Sequence, residues 1–241
     1  MTEAGFMSKT LMLARKDLVV EARGRDTVLP MLLFALSVTL LLAFTVPDPS
    51  ELAAPVELPL GTVALADVVA GFLWVTILFA GLIGFARTFE VERGDGAIDA
   101  LLLVPLDRSG LFLAKAIANL SGIILLEALA LPLFTLLFGI PLGQTWPALL
   151  LVVVLVDIGF VSVGTLFSSV AAGTRSRELL LPILALPALI PIFIAATELS
   201  SDLFLGGTLD DVAARGWFGI LVAFDIVAAA VGALTFEFAL D

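Results

Sequence analysis

The chain has 241 residues, of which 61% are hydrophobic and only 15% charged, against roughly 45–50% and 25% in soluble domains; its mean hydropathy is +1.16. A single globular core of this length could not hide so much apolar surface from water, so the solvent for most of the chain is lipid. Without cysteine or histidine there are no disulfides, no thiolate chemistry, and neither the usual general base nor the usual zinc and haem ligands; a net charge of −11 argues against nucleic acid as a partner.

Residues 1–27 carry charge of both signs and no small-residue cleavage site, so no removable signal peptide is expected. From about Phe6 to Arg25, Leu11, Leu18 and Ala22 recur at near-helical spacing among Lys16, Glu21, Arg23 and Arg25. That pattern predicts an amphipathic helix in the headgroup layer, with a solvated arm as the alternative. Six apolar runs come next, roughly 28–46, 68–86, 116–138, 148–172, 179–197 and 217–236, each about long enough to cross the hydrocarbon core as a helix. They are apolar on every side, which excludes the alternating segments of a closed barrel.

The basic residues set the orientation. Eleven of twelve precede the first run, join the second to the third, or join the fourth to the fifth, and Arg215 alone lies opposite. Both termini are therefore expected in the cytoplasm. The other loops carry Asp48, Glu51, Glu57, Asp67, Glu198, Asp202, Asp210 and Asp211.

The cytoplasmic connection 87–115 is informative. It is charged and then glycine-rich from Phe89 to Gly96, where the chain leaves the membrane and turns. Asp95 can cap a helix beginning just after it, and Asp99 suits the positive end of that helix. Ile98, Leu101 and Leu102 form one apolar face, edged by Arg93, before Pro105 ends the element. A short helix this apolar outside the bilayer wants a partner groove or the membrane interface.

Several chemistries are missing. No GxxxxGK[ST] loop exists, so the chain does not bind ATP in the usual way, and no nucleophile–base arrangement is available. The chain is expected to be non-catalytic. Trp146 and Trp217 sit at span edges as interfacial anchors, while Trp74 lies inside a run. Glu127, Asp157 and Asp225 fall roughly 12–17 Å deep in their spans, where a charged carboxylate costs about 2.5–3.5 kcal/mol. They are expected to be protonated or hydrogen-bonded to Ser and Thr, and to face protein, as a polar path, a docking surface for another subunit, or interhelical glue. Pro182, Pro187 and Pro191 within the fifth run predict kinks, either static or hinging.

Together these pieces resemble the CcmB family, the membrane subunit of the ABC-type haem exporter of cytochrome c maturation. The matching stretches are Ala14-Arg-Lys-Asp17 leading to Pro30-Met-Leu-Leu-Phe34; Gly94 to Pro105 with Asp107-Arg-Ser and Lys115-Ala-Ile-Ala-Asn119; Val163-Gly-Thr-Leu-Phe167; and Arg177-Glu-Leu-Leu-Leu-Pro182 continuing through Pro187 to Pro191. The resemblance covers essentially the whole chain. It implies an all-α integral membrane protein: an ABC-2-type permease of six transmembrane helices in the inner membrane, with the interfacial N-terminal helix and a short coupling helix between the second and third spans. The implied partners are the ATPase subunit CcmA, which holds ATP and Mg, the membrane subunits CcmC and CcmD, and the haem chaperone CcmE. Whether two copies pair is left open. With no histidine, and with Met1, Met7, Met12 and Met31 poorly placed for the outer face, this chain is expected to bind no cofactor and to leave haem iron unligated, with haem as a substrate. An ABC-2 permease for a lipid, drug or glycan, and a proton-coupled secondary transporter using the buried acids, are the rival readings.

Overall fold

The computed structural model describes residues 6–46, 51–59, 61–89, 108–141, 143–172 and 177–239, with backbone only at Arg108, Arg177, Glu178 and 237–239. In chain order the elements are α1 (Phe6–Gly24), α2 (Val28–Ala43), β1 (Pro55–Leu58), β2 (Gly61–Ala64), α3 (Leu65–Arg87), α4 (Arg108–Leu137), α5 (Trp146–Ala172), α6 (Arg177–Phe204), α7 (Leu209–Ala214) and α8 (Gly216–Ala239).

Five helices are each long and apolar enough to cross a membrane, and α1 with α2, bent by 63° at their junction, would make a sixth crossing. The protein is thus an all-α, multi-pass membrane protein. The first span is shorter than its apolar run. α2 has 16 residues, about 24 Å of rise against a hydrocarbon core of about 30 Å. It ends at Ala43 because Thr45 turns back, its N–H and its hydroxyl both donating to Leu42 O at 2.9 and 2.7 Å. The third span's helix, α4, starts earlier than its apolar run, at Arg108, and the fifth span's helix, α6, continues past Thr197 to Phe204. That extension through polar residues is possible because Ser200 accepts a 2.9 Å bond from the buried Trp74 indole, while Ser201 donates to Asp67.

Two small elements were not anticipated. The strands β1 and β2 pair antiparallel with Leu58 opposite Gly61, and the segment leading into them lends Ala54 O and Leu52 O to the first amides of α3, Leu65 N and Ala66 N, at 2.9 and 2.8 Å. These amides are otherwise orphans of a helix start. The short α7 is capped reciprocally by Thr208 and Asp211, and the two bonds that Thr208 donates hold the Asp211 carboxyl below the usual range. Arg215, just beyond α7, pairs with Asp202 at 2.7 Å.

Lipid is as apolar as a leucine side chain, so helices in it associate through close packing and hydrogen bonds rather than by escaping water. The centre of the bundle fits that rule. Phe85, Phe160, Phe193 and Trp74 meet edge to face in succession, with ring centroids 5.0, 5.1 and 6.0 Å apart. Two glycines make room for them. A Cβ on Gly164 would stand 2.3 Å from the Phe85 ring, and one on Gly81 2.5 Å from the Phe160 ring.

Gly164→Ala should therefore lower the thermal unfolding midpoint in detergent, with a cost of about 1–3 kcal/mol from overpacking. Gly122→Ala, whose added Cβ meets nothing within 4 Å, should leave the midpoint level or raise it. Equal midpoints for both variants would contradict this account of the core.

Candidate functional site

At the basic end of the bundle, α1 turns into α2 through a hydrogen-bonded elbow. Arg25 takes a left-handed conformation with φ of 57° while its N–H closes α1 onto Glu21 O at 2.7 Å. The Glu21 carboxylate then accepts the N–H groups of Thr27 and Val28 at 3.0 and 2.8 Å. An anion there satisfies two orphan amides of α2 and complements the positive end of its dipole. Arg87, closing α3, donates to Asp26 O at 2.8 Å, which ties the elbow to the rest of the bundle.

One turn deeper lies a buried lysine. Lys115 on α4, whose side chain is 3% exposed, sits 3.0 Å from Asp17 Oδ2 of α1. It also donates to Thr88 O at 3.3 Å and lies 5.1 Å from the centre of the Phe89 ring. A buried ammonium is tolerated only when paired in this way. The bonding continues inward: the Thr88 hydroxyl donates to Asn119 Oδ1 at 3.0 Å, and Asn119 Nδ2 donates to the Thr165 hydroxyl of α5 at 2.9 Å.

Beside this chain of polar contacts, Phe89, Leu111, Phe112, Ala172 and Phe236 form a separate buried cluster, with Leu13, Leu166 and Ala233 against it. The Phe236 ring lies 5.4 Å from Phe112 and 6.3 Å from Phe89. Gly232 lets Phe112 lie directly on α8, since a Cβ there would meet the ring at 2.4 Å. The two roots of the 90–107 segment, Thr88–Phe89 and Leu111–Lys115, are therefore fastened to α1, α5 and α8 together. Between the elbow, α3 and α4 lies a cleft of about 710 Å³.

Of the residues singled out in the sequence, Arg93, Asp95, Gly96, Ile98, Asp99, Leu101, Leu102 and Pro105 lie outside the described residues. Pro182, Pro187 and Pro191 are all inside the single helix α6. Trp146 is exposed at the start of α5, and Trp74 is buried. Glu127, Asp157 and Asp225 are 4, 3 and 6% exposed, inside the chain's own bundle. The structure brings the first two within hydrogen-bonding reach of each other. Glu127 Oε1 and Asp157 Oδ1 are each buried with no hydrogen-bond partner among the described residues. Asp225 instead lies against α5 at Gly159, where an added Cβ would stand 2.7 Å from its Oδ1. Among the described residues no group of three or more such side chains is placed to hold a metal ion.

The set Asp17, Lys115, Asn119 and Thr165 was not read from the sequence as a unit. A signal was present: an acid and a lysine at the margins of apolar runs each need an opposite charge if they are to be buried.

Comparison with known proteins places these residues in context. A family model described as CcmB protein matches residues 8–241. Three curated relatives are each called Heme exporter protein B. The one from Rhodobacter capsulatus is 33% identical over 138 residues, 56% of this chain and 62% of that protein, so this match spans less than two thirds of the relative. The one from Pseudomonas aeruginosa is 29% identical over 187 residues, 77% of each chain. The one from Haemophilus influenzae is 27% identical over 191 residues, 78% of this chain and 79% of that protein.

Lys115→Met should destabilise the protein by about 2 kcal/mol, because the acceptors that faced the ammonium are left buried and unpaired. Adding Asp17→Asn should restore at least half of that loss in a thermal unfolding cycle. Additive losses would show that the two side chains do not act as a pair.

Proposed function

The chain belongs to the CcmB family, and on that premise we propose that it is the membrane-spanning subunit of a haem-exporting ABC transporter, driven by an ATPase carried on another polypeptide. The reading is carried by the family match along residues 8–241 together with the relatives' shared name. With the basic residues gathered at one end, that end is assigned to the cytoplasm and both termini with it, in the inner membrane.

The mechanism is mechanical. ATP, with Mg, closes two copies of the ATPase subunit CcmA, and their motion displaces the apolar face of Ile98, Leu101 and Leu102, edged by Arg93, Asp95 and Asp99, with Gly96 and Pro105 bounding the element. A contact that differs between the open and closed ATPase states is all that the energetics require. The roots of this segment support the idea. Phe89 and Phe112 pack on Phe236 of α8 and on Leu13 of α1, and Lys115 reaches Asp17. A push delivered between them therefore reaches α1, α3, α4, α5 and α8 at once instead of bending one loop. The three prolines of α6 give the bundle a helix able to yield, and the Glu127–Asp157 contact joins α4 to α5 as interhelical glue. CcmC, CcmD and the chaperone CcmE complete the apparatus, in which haem is substrate and this chain binds no cofactor of its own.

Replacing Leu101 and Leu102 by Asp should leave membrane insertion intact while abolishing co-purification of the ATPase subunit and maturation of c-type cytochromes. Normal assembly and normal cytochrome levels in that variant would overturn the coupling role.

A further inference from the structure

The cleft between the elbow, α3 and α4 borders the Lys115–Asp17 pair, but its open space is not used in the mechanism above. We propose that it is a lipid site, holding the headgroup and upper acyl chain of one anionic phospholipid from the surrounding leaflet.

Charge comes first. Lys16, Arg25 and Arg87 line the cleft in a chain whose net charge is −11. The acids that also line it are committed inward: Asp17 faces Lys115 and Lys16 at 3.0 and 2.9 Å, and Glu21 accepts the two amides that open α2. Arg25 is exposed on the left-handed turn of the elbow. Arg87 spends one nitrogen on Asp26 O and keeps the rest of its five donors. Two guanidiniums at the mouth of a cleft between spans are a fit for a phosphate-bearing headgroup.

The remainder of the cleft suits a hydrocarbon chain. Leu29, Ile124 and Leu125 line it and are 51, 53 and 50% exposed, so the wall is apolar and open to the bilayer. Gly122 lies behind them, and an added Cβ there meets nothing within 4 Å. At about 710 Å³ the space lies within the range of built ligand clefts, roughly 300–1,000 Å³. Depth agrees as well, since the bend of 63° puts the mouth where an interfacial helix becomes a spanning one.

The test is native mass spectrometry of the full chain in mild detergent with added phosphatidylglycerol or phosphatidylcholine, which needs neither nucleotide nor haem and so stands apart from the transport reading. One phosphatidylglycerol should be retained per chain, at least about fivefold in preference to phosphatidylcholine. Arg25→Asn, which suits the left-handed turn, should cut that retention about fivefold, the scale of one basic residue at a lipid surface. Gly122→Leu keeps every charge but fills the space, and should abolish retention while circular dichroism stays at the parental level. Equal retention of the two lipids, parental retention in either variant, or loss of a dimer in Gly122→Leu with lipid unchanged would each overturn the proposal.

Discussion

Lipid offers a helix no water to escape and no hydrogen bonds to borrow, and the architecture of this protein follows from that constraint. Its helices must come close enough for dispersion to hold them, which is why Gly81 and Gly164 stand where Phe160 and Phe85 need to lie. Many polar side chains within the spans are answered inside the chain. Hydroxyls of Thr76, Ser162 and Thr197 return to carbonyls one turn back, at 2.7, 2.7 and 2.9 Å. Where an indole cannot do so, as at Trp74, a serine from another helix meets it.

The same constraint shapes the basic end. Lys115 is buried among Phe89 and the start of α4, so it holds Asp17 and Thr88 firmly. That pairing makes α1 part of the bundle instead of a loose interfacial arm. Together with the Phe89, Phe112 and Phe236 cluster, it converts the two roots of the connecting segment into one anchored block. A connection fastened in this way can transmit displacement to several helices, as the proposed coupling to a separate ATPase requires.

Much of this was legible in the sequence because it rests on composition and period. The spans and their number within one follow from runs of apolar residues, and a helix before them follows from the near-helical spacing of Leu11, Leu18 and Ala22. The ends of the helices were not legible in the same way. Thr45 stops α2 early by a local hydroxyl bond, and Ser200 and Ser201 prolong α6 through partners more than a hundred residues away. The carboxyls at Glu127 and Asp157 were visible as costly, yet their answer to one another depends on how α4 and α5 face, which no single-sequence period encodes. The polar chain from Asp17 to Thr165 was hidden for the same reason, although Asp17, Lys115, Asn119 and Thr165 each fall in a stretch that resembles the CcmB family.

The central claim is that an apolar element between the second and third spans receives force from a separate ATPase in the cytoplasm. The chain has no cysteine, so Asp99→Cys supplies a single chemical probe at that element. In the assembled transporter this cysteine should be shielded from membrane-impermeant reagents added outside and should cross-link to the ATPase subunit, with a yield that changes when ATP is bound. Labelling from the outer face, or no cross-link in an assembled complex, would contradict the account.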